Sequence, residues 1–575
     1  MRSWSIVLGV LTLALGGCQG PSEPASPPAA AAAGGADWDA FRDAFLERYF
    51  ELNPSFAIYQ GRHEFDGRLA DWSETGLRAQ NDFLHAQLAE AERIAPSALT
   101  PAQQIEHDHL VQVIRGELFW REDADDPHKN VSWYFDRGLD PNVYIARPYA
   151  DAATRMRAFI AYARAIPTAV AQIRANLQTP MPLSFVDFGV PGFRGYAEYY
   201  RGDATAAFAS VADPALQAEL DAATTAAAAA ANDMATWLEQ QRASATQSFA
   251  LGEERFARML AATEAVTTPL AQLEALGRAD LERNQAALRD ACSTYAPGAT
   301  LGDCMLKMSA AKSPLGDVGE ARVQLPVLKQ FIIDSNLVSI PGPEEALVEE
   351  APPYNRQNSA YIDIPGPYER GLPSIYYIAP PDPAWTAEER AAYIMGRQDL
   401  MFTSVHEVWP GHFLQFLHSN RSPSLFGRLF VGYAFAEGWA HYAEEAMWEA
   451  GFGNGDPETH IGQLSNALLR NCRYLSAIGL HTRGMTQQQS YELFRNECYQ
   501  DEGNSRQQSA RGTYDPAYLN YTLGKFMIRK LRDDWTADKG GRQAWKQFHD
   551  QFLSYGGPPI PLVRRAMLGN DSPAL

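Results

Sequence analysis

His406-Glu407-Val408-Trp409-Pro410-Gly411-His412 is the stretch on which the reading of this chain turns. It offers two imidazoles and a carboxylate, and about thirty residues later Glu437-Gly438-Trp439-Ala440-His441-Tyr442-Ala443-Glu444-Glu445 offers more carboxylates. Two His and one Glu from a following helix are the donor types that hold a zinc ion while leaving one coordination position free for water or substrate. The compact zinc motif is His-Glu-x-x-His, because residues four apart on a helix share a face. Here the two imidazoles are six residues apart, about 600° of helical turn, so on a regular helix they diverge by about 120°.

Pro410 and Gly411 stand directly before His412. Proline removes a backbone N–H and clashes with the preceding turn, whereas glycine accepts backbone angles that other residues avoid. The pair predicts a bulge or kink that absorbs the two extra residues and returns His412 to the side of His406. On this reading His406, His412 and Glu437 are the metal ligands, with one zinc per chain. Glu407 follows a ligand and is the candidate general base. Glu444, seven residues beyond Glu437, shares its face and is placed to orient a ligating His. His441 is an alternative ligand. His418 is too far along the helix, about 18 Å from His406, to replace His412.

The surrounding sequence is mainly helical. Trp38 to Leu52, Ala204 to Gln241 and Glu253 to Ala291 carry apolar residues at spacings of three and four among good helix formers. One clear strand candidate, Ser374 to Ala379, is bounded by prolines. After it, Thr386 and Glu389 form a capping box for a helix expected to run through Met401 to His406. Further helices are expected over Phe435 to Trp448, Ile461 to Thr482 and Tyr518 to Trp535. The predicted class is mainly α with a small β element beside the site helix. A soft division near residue 245 separates an N-terminal helical region (37–245) from a C-terminal one carrying the metal site (246–575), although 37–575 also reads as one domain.

The chain has 575 residues and a net charge of −20. Such an acidic balance excludes a nucleic-acid partner, which excess Lys and Arg would have to hold. Arg2, an apolar run from Trp4 to Leu15, and Leu15-Gly16-Gly17-Cys18 resemble a bacterial lipoprotein signal peptide (1–17), with Cys18 as the lipidated residue. Residues 18–36, rich in Pro, Ala, Ser and Gly, read as a flexible tether. Gln19 after the cysteine favours the outer membrane, facing the periplasm. In that oxidising compartment Cys292 with Cys304 and Cys472 with Cys498 are the pairs nearest in sequence, with buried free thiols as the alternative.

His-Glu-x-x-Pro-Gly-His followed by Glu-Gly-Trp-Ala-x-Tyr-Ala-Glu resembles family 885 of the bacterial domains of unknown function, over nearly the whole mature chain. Glu437-Gly438-Trp439-Ala440 is also similar to the Glu-Gly-Phe-Ala segment of membrane alanyl aminopeptidases, in which that Glu is the third zinc ligand. The resemblance implies a gluzincin, a zinc peptidase with His, His and Glu ligands. Arg473 through Gly479-Leu480-His481, and Tyr521 with Gly524, resemble two further family segments. In gluzincins an auxiliary His or Tyr stabilises the oxyanion, so the resemblance makes His481 and Tyr521 candidate catalytic residues. Ala477 stands where the family often has Asp, and Pro516-Ala517-Tyr518 departs from its Pro-x-Gln. The expected function is zinc-dependent hydrolysis of short peptides against the Ser374 to Ala379 strand. The alternatives are hydrolysis of a non-peptide amide or ester, and a catalytically silent metal-binding lipoprotein.

Overall fold

In the computed structural model residues 31–356 and 359–575 are described. The expected signal peptide, Cys18 and the tether up to residue 30 lie outside them. The sequence places the end of the tether at residue 36, whereas the first helix, Ala31–Leu52, begins earlier. None of the described helices is long and apolar enough to cross a membrane.

The fold is mainly α, with one three-stranded sheet. The Ala-rich stretch shows why local sequence becomes helix. Asp213 caps the helix Pro214–Gln241 by accepting from the Leu216 N–H at 3.1 Å, and Pro214 supplies a first residue that needs no N–H partner. Leu216, Leu220, Ala223, Ala227, Met234 and Leu238 recur on one face and are buried. Two expected helices are each divided. The Ala204 to Gln241 stretch splits at Phe208–Asp213, and Glu253 to Ala291 splits where Ala265 takes a left-handed conformation ahead of Pro269.

Two large apolar cores result. One is built from Trp38 to Leu238 and also takes in Phe426 and Leu429 from the later sequence. The other runs from Phe256 to Val563 and takes in Phe119 and Ala124 from the earlier sequence. Each half therefore contributes side chains to the other's core. Polar contacts add to this exchange: Glu106 accepts from the Trp38 indole at 3.1 Å, Ser424 Oγ at 3.0 Å and the Phe426 N–H at 3.3 Å. Disulfides join Cys292 to Cys304 and Cys472 to Cys498, the pairings nearest in sequence.

Strand β1 (Ala346–Glu350) pairs parallel, and β2 (Ala360–Asp363) antiparallel, with β3 (Ser374–Ile378). All five β3 residues are buried, as an apolar strand covered on both faces requires. Tyr376 and Ile378 enter the second core, whereas Ile375 and Tyr377 pack in a smaller cluster on the opposite face. Because β3 lies between its two neighbours, its edges are taken, and a peptide cannot add to it as the sequence reading expects. The free edge beside the large cavity described below belongs to β2.

Candidate metal centre

Five helices frame the site: α1 (Arg397–Glu407), α2 (His412–Ser419), α3 (Tyr433–Glu449), α4 (Pro457–Thr482) and α5 (Asn520–Thr536). The Thr386 capping box forms, but its helix ends at Tyr393, and α1 is a separate element starting after Gly396. The backbone distortion expected at Pro410-Gly411 is larger than a bulge. Helix α1 stops at Glu407, the chain turns through Val408 to Gly411 with a cis Trp409–Pro410 peptide, and His412 opens α2. The Gly411 N–H donates to the Val405 carbonyl at 2.9 Å, which pulls the turn back over the end of α1. A β-carbon on Gly411 would lie 1.8 Å from the His406 carbonyl oxygen, so only glycine fits this approach.

The turn brings the two imidazoles together despite their spacing, with ring centroids 4.8 Å apart and planes nearly perpendicular. Helix α3 brings the carboxylate. Glu437 Oε2 lies 3.1 Å from His406 Nε2 and 3.2 Å from His412 Nε2, and one donor atom from each of the three residues falls within 4.8 Å of the others. Two ligands each about 2.1 Å from a tetrahedral zinc are about 3.4 Å apart, so the His–Glu separations are close to those a zinc site needs. His406 is buried, and His412 and Glu437 are mostly so.

A buried layer fixes the ring orientation. Glu444 Oε1 accepts from His406 Nδ1 at 2.7 Å and also meets Arg470 at 3.3 Å, while Glu444 Oε2 accepts from His441 Nδ1 at 3.1 Å. With Nδ1–H directed to Glu444, the Nε2 lone pair of His406 points at Glu437, the arrangement in which a cation between them is favourable. Burial raises the Glu444 carboxyl, but Arg470 and the two imidazoles outweigh it and hold Glu444 ionised. His441 is driven by burial and by Lys525 down to about 4 and is neutral. It contacts Glu444 and is not one of the three converging donors. His418 donates to the Ser339 carbonyl at 2.8 Å, away from the cluster.

The donor types, their separations and the Glu444 bond fit a zinc ion. Among the described residues this is the one group of three or more His, Cys, Asp or Glu so arranged. Residues 54–567 match the family described as "Bacterial protein of unknown function (DUF885)". The chain belongs to that family. Among solved structures it is similar to "a putative lipoprotein of unknown function" from Shewanella oneidensis, with 26% identity and a TM-score of 0.74 over 92% of this chain and 99% of that one. It also shares the fold of "the putative lipoprotein" from Colwellia psychrerythraea, with 15% identity and a TM-score of 0.77 over 93% of this chain and 98% of that one. No functionally curated protein matches it.

The cluster opens into a cavity of about 1620 Å³, walled by both halves of the chain, and His406, Glu407, His412, Glu437 and Tyr521 all line it. Burial raises the Glu407 carboxyl, although the two imidazoles act against this. Tyr521 stacks over His406 with ring centroids 5.9 Å apart. Its position depends on two glycines: a β-carbon on Gly438 would lie 2.4 Å from Gly524 Cα, so α3 and α5 meet backbone to backbone just beside Glu437 and Tyr521.

His481 does not join the site. Its Nε2 donates to the Gly512 carbonyl at 2.7 Å and its Nδ1 accepts from the Leu251 N–H at 3.3 Å, so both ring nitrogens are committed in a buried packing position. Burial holds it neutral, pushed down to about 4. Conversely, the cavity wall includes residues with no assigned role in the motif reading. Tyr433 donates to Asp515 at 3.1 Å and accepts from Arg511 at 2.9 Å, and Arg470 and Arg473 project from α4. The i,i+4 pair Arg511–Asp515 is visible in the sequence, but surface pairs share that spacing, and only the fold puts this one in the cavity.

Proposed function

We propose that the protein is a zinc-dependent peptidase of the bacterial envelope that acts on short peptides. The observation that carries this reading is the convergence of His406 Nε2 and His412 Nε2 on Glu437 at the wall of a large cavity, with Glu407 beside them. The names of the two solved relatives support a lipid anchor, which Cys18 would supply, and the resemblance of residues 1–19 to lipoprotein leaders supports a periplasm-facing outer-membrane site.

Zinc held by His406, His412 and Glu437 would supply Lewis-acid polarisation of the scissile carbonyl and acidify a water molecule. Glu407 then takes the proton of the attacking water and delivers it to the leaving amine. Burial raises this carboxyl above its usual range, which makes it a stronger base toward the attacking water. The Tyr521 phenol, stacked on His406, is the candidate donor to the developing oxyanion. The free edge of β2 offers backbone groups to an extended peptide, the role that β3 cannot fill.

The test is digestion of a mixed peptide library with mass-spectrometric readout, comparing wild type with Glu407→Gln. Cleavage by wild type and its loss by several orders of magnitude in the variant, with zinc retained, is the expected result; equal cleavage removes Glu407 as the base, and no cleavage of any peptide removes the peptidase reading.

A further inference from the structure

Three guanidinium groups stand in the cavity wall near Tyr521. Arg470 reaches Glu444 at 3.3 Å, and Arg511 reaches Asp515 at 2.9 Å. Arg473 is different. It is 8% exposed, its Nε donates to the neutral Gln508 Oε1 at 2.8 Å, and neither terminal nitrogen meets a hydrogen-bonding or acidic partner among the described residues. Ala477, one turn further along α4, offers no carboxylate either. The guanidinium lies 4.6 Å from the centroid of the Tyr521 ring, which stacks in turn on the His406 imidazole.

A buried guanidinium without an anion is costly, and the free edge formed by its two terminal nitrogens matches a carboxylate in the fork geometry that Lys cannot reproduce. The neighbouring positive charges of Arg511 and Arg470 make the position still less favourable for an uncompensated cation, and therefore more favourable for an incoming anion. Burial, the absent counter-ion and the cavity location all point the same way. Because only one aromatic ring separates Arg473 from His406, an anion bound there sits close to the metal cluster.

We propose that Arg473 is a carboxylate-binding residue, and that the substrates are peptides whose free C-terminal carboxylate is held there, so that cleavage removes residues from the C-terminal end. This inference rests on the peptidase reading for its substrate class, but the subsite itself is defined by binding. A peptide blocked as the C-terminal amide loses the bidentate ion pair and presents a donor to a donor.

The experiment is calorimetric titration of the Glu407→Gln protein with acetyl-Ala-Ala-Ala as the free acid and as the C-terminal amide, in the zinc-loaded and the chelator-treated states. The acid is expected to bind at least about ten-fold more tightly than the amide in both states, since a charge-assisted bidentate pair is at stake. Arg473→Met should bring the two peptides within about two-fold of each other and Arg473→Lys should restore part of the preference. Equal binding of acid and amide, failure of both to bind, or an acid preference that survives Arg473→Met would overturn the proposal. So would a preference that disappears with zinc, because the carboxylate would then be a metal ligand. The acid–amide comparison needs no Arg473 variant, so a misfolded variant cannot shield the proposal. Failure of the peptidase reading is seen separately, as a library that wild type leaves uncut while the acid preference persists.

Discussion

Glu444 Oε1 accepts from His406 Nδ1 at 2.7 Å from a fully buried position, and this single bond fixes which nitrogen of His406 faces Glu437. Glu444 also carries the charge that balances Arg470. Glu444→Gln keeps the shape but weakens both interactions, and zinc affinity is expected to fall about 10–100-fold. Competition with a fluorescent chelator measures this directly, and an unchanged affinity would show that Glu444 does not act through His406. Glu444→Ala should in addition destabilise the fold by about 3–5 kcal/mol, because Arg470 is left buried without its partner.

Gly411 decides whether the loop between α1 and α2 can close. A β-carbon there meets the His406 carbonyl at 1.8 Å, so Gly411→Ala must displace the turn that carries His412. The variant is expected to lose most of its zinc and about 1–3 kcal/mol of stability. Metal analysis together with thermal unfolding tests it, and normal zinc content would mean that the turn tolerates a side chain.

How far the sequence anticipated this site follows from the physics of each part. The three donors were legible because few other reasons place two His and a Glu in such a pattern, and the helices around them follow from apolar spacing. The form of the distortion was not legible. Periodicity indicates that a regular helix cannot serve both His406 and His412, but not whether the chain bulges or breaks, since that depends on the Gly411-to-Val405 bond made after the turn has folded back. The order of the strands was hidden too, because β1 and β2 lack strong alternation and pair with β3 across long loops. His481 shows the opposite limit: its place in a segment that resembles the family's points to catalysis, whereas tertiary packing gives both its nitrogens to backbone groups.

Arg147 joins the first half of the chain to the sheet. It is buried and donates to Asp363 at 2.6 Å, to Glu369 at 2.7 Å and to the Tyr59 carbonyl at 2.8 Å, with Asp363 closing β2. Arg147→Met leaves two buried carboxylates without this counter-ion and should cost about 3–5 kcal/mol. Urea denaturation measures the loss; a change below about 1 kcal/mol, the level of an exposed pair, would contradict a structural role for this network.

Glu264 gives a pH signature away from the His406–His412–Glu437 cluster. It is fully enclosed, accepting from Asn520 Nδ2 at 2.9 Å and from the Ala434 N–H at 3.4 Å, and burial pushes its carboxyl up to about 8. In the unfolded chain it ionises near the ordinary glutamate value of 4.5, so between these values the folded protein binds the extra proton. Stability from this group therefore falls as pH rises from about 4.5 to about 8 and is level outside that window. Glu264→Gln, which keeps the acceptor and removes the titration, should raise the melting temperature at pH 8 and leave it nearly unchanged at pH 4. Parallel melting curves for the two proteins across this range would contradict the assignment.

The most direct test of the metal centre is the zinc content of purified protein beginning at Ala31, measured by mass spectrometry for wild type, His406→Ala, His412→Ala and Glu437→Ala. About one zinc per chain in wild type, and its loss in each variant, is the predicted result for a three-ligand site. A wild type that binds no zinc, or a His412→Ala protein that keeps all of it, would contradict the claim that the break after Glu407 exists to bring His412 to the metal.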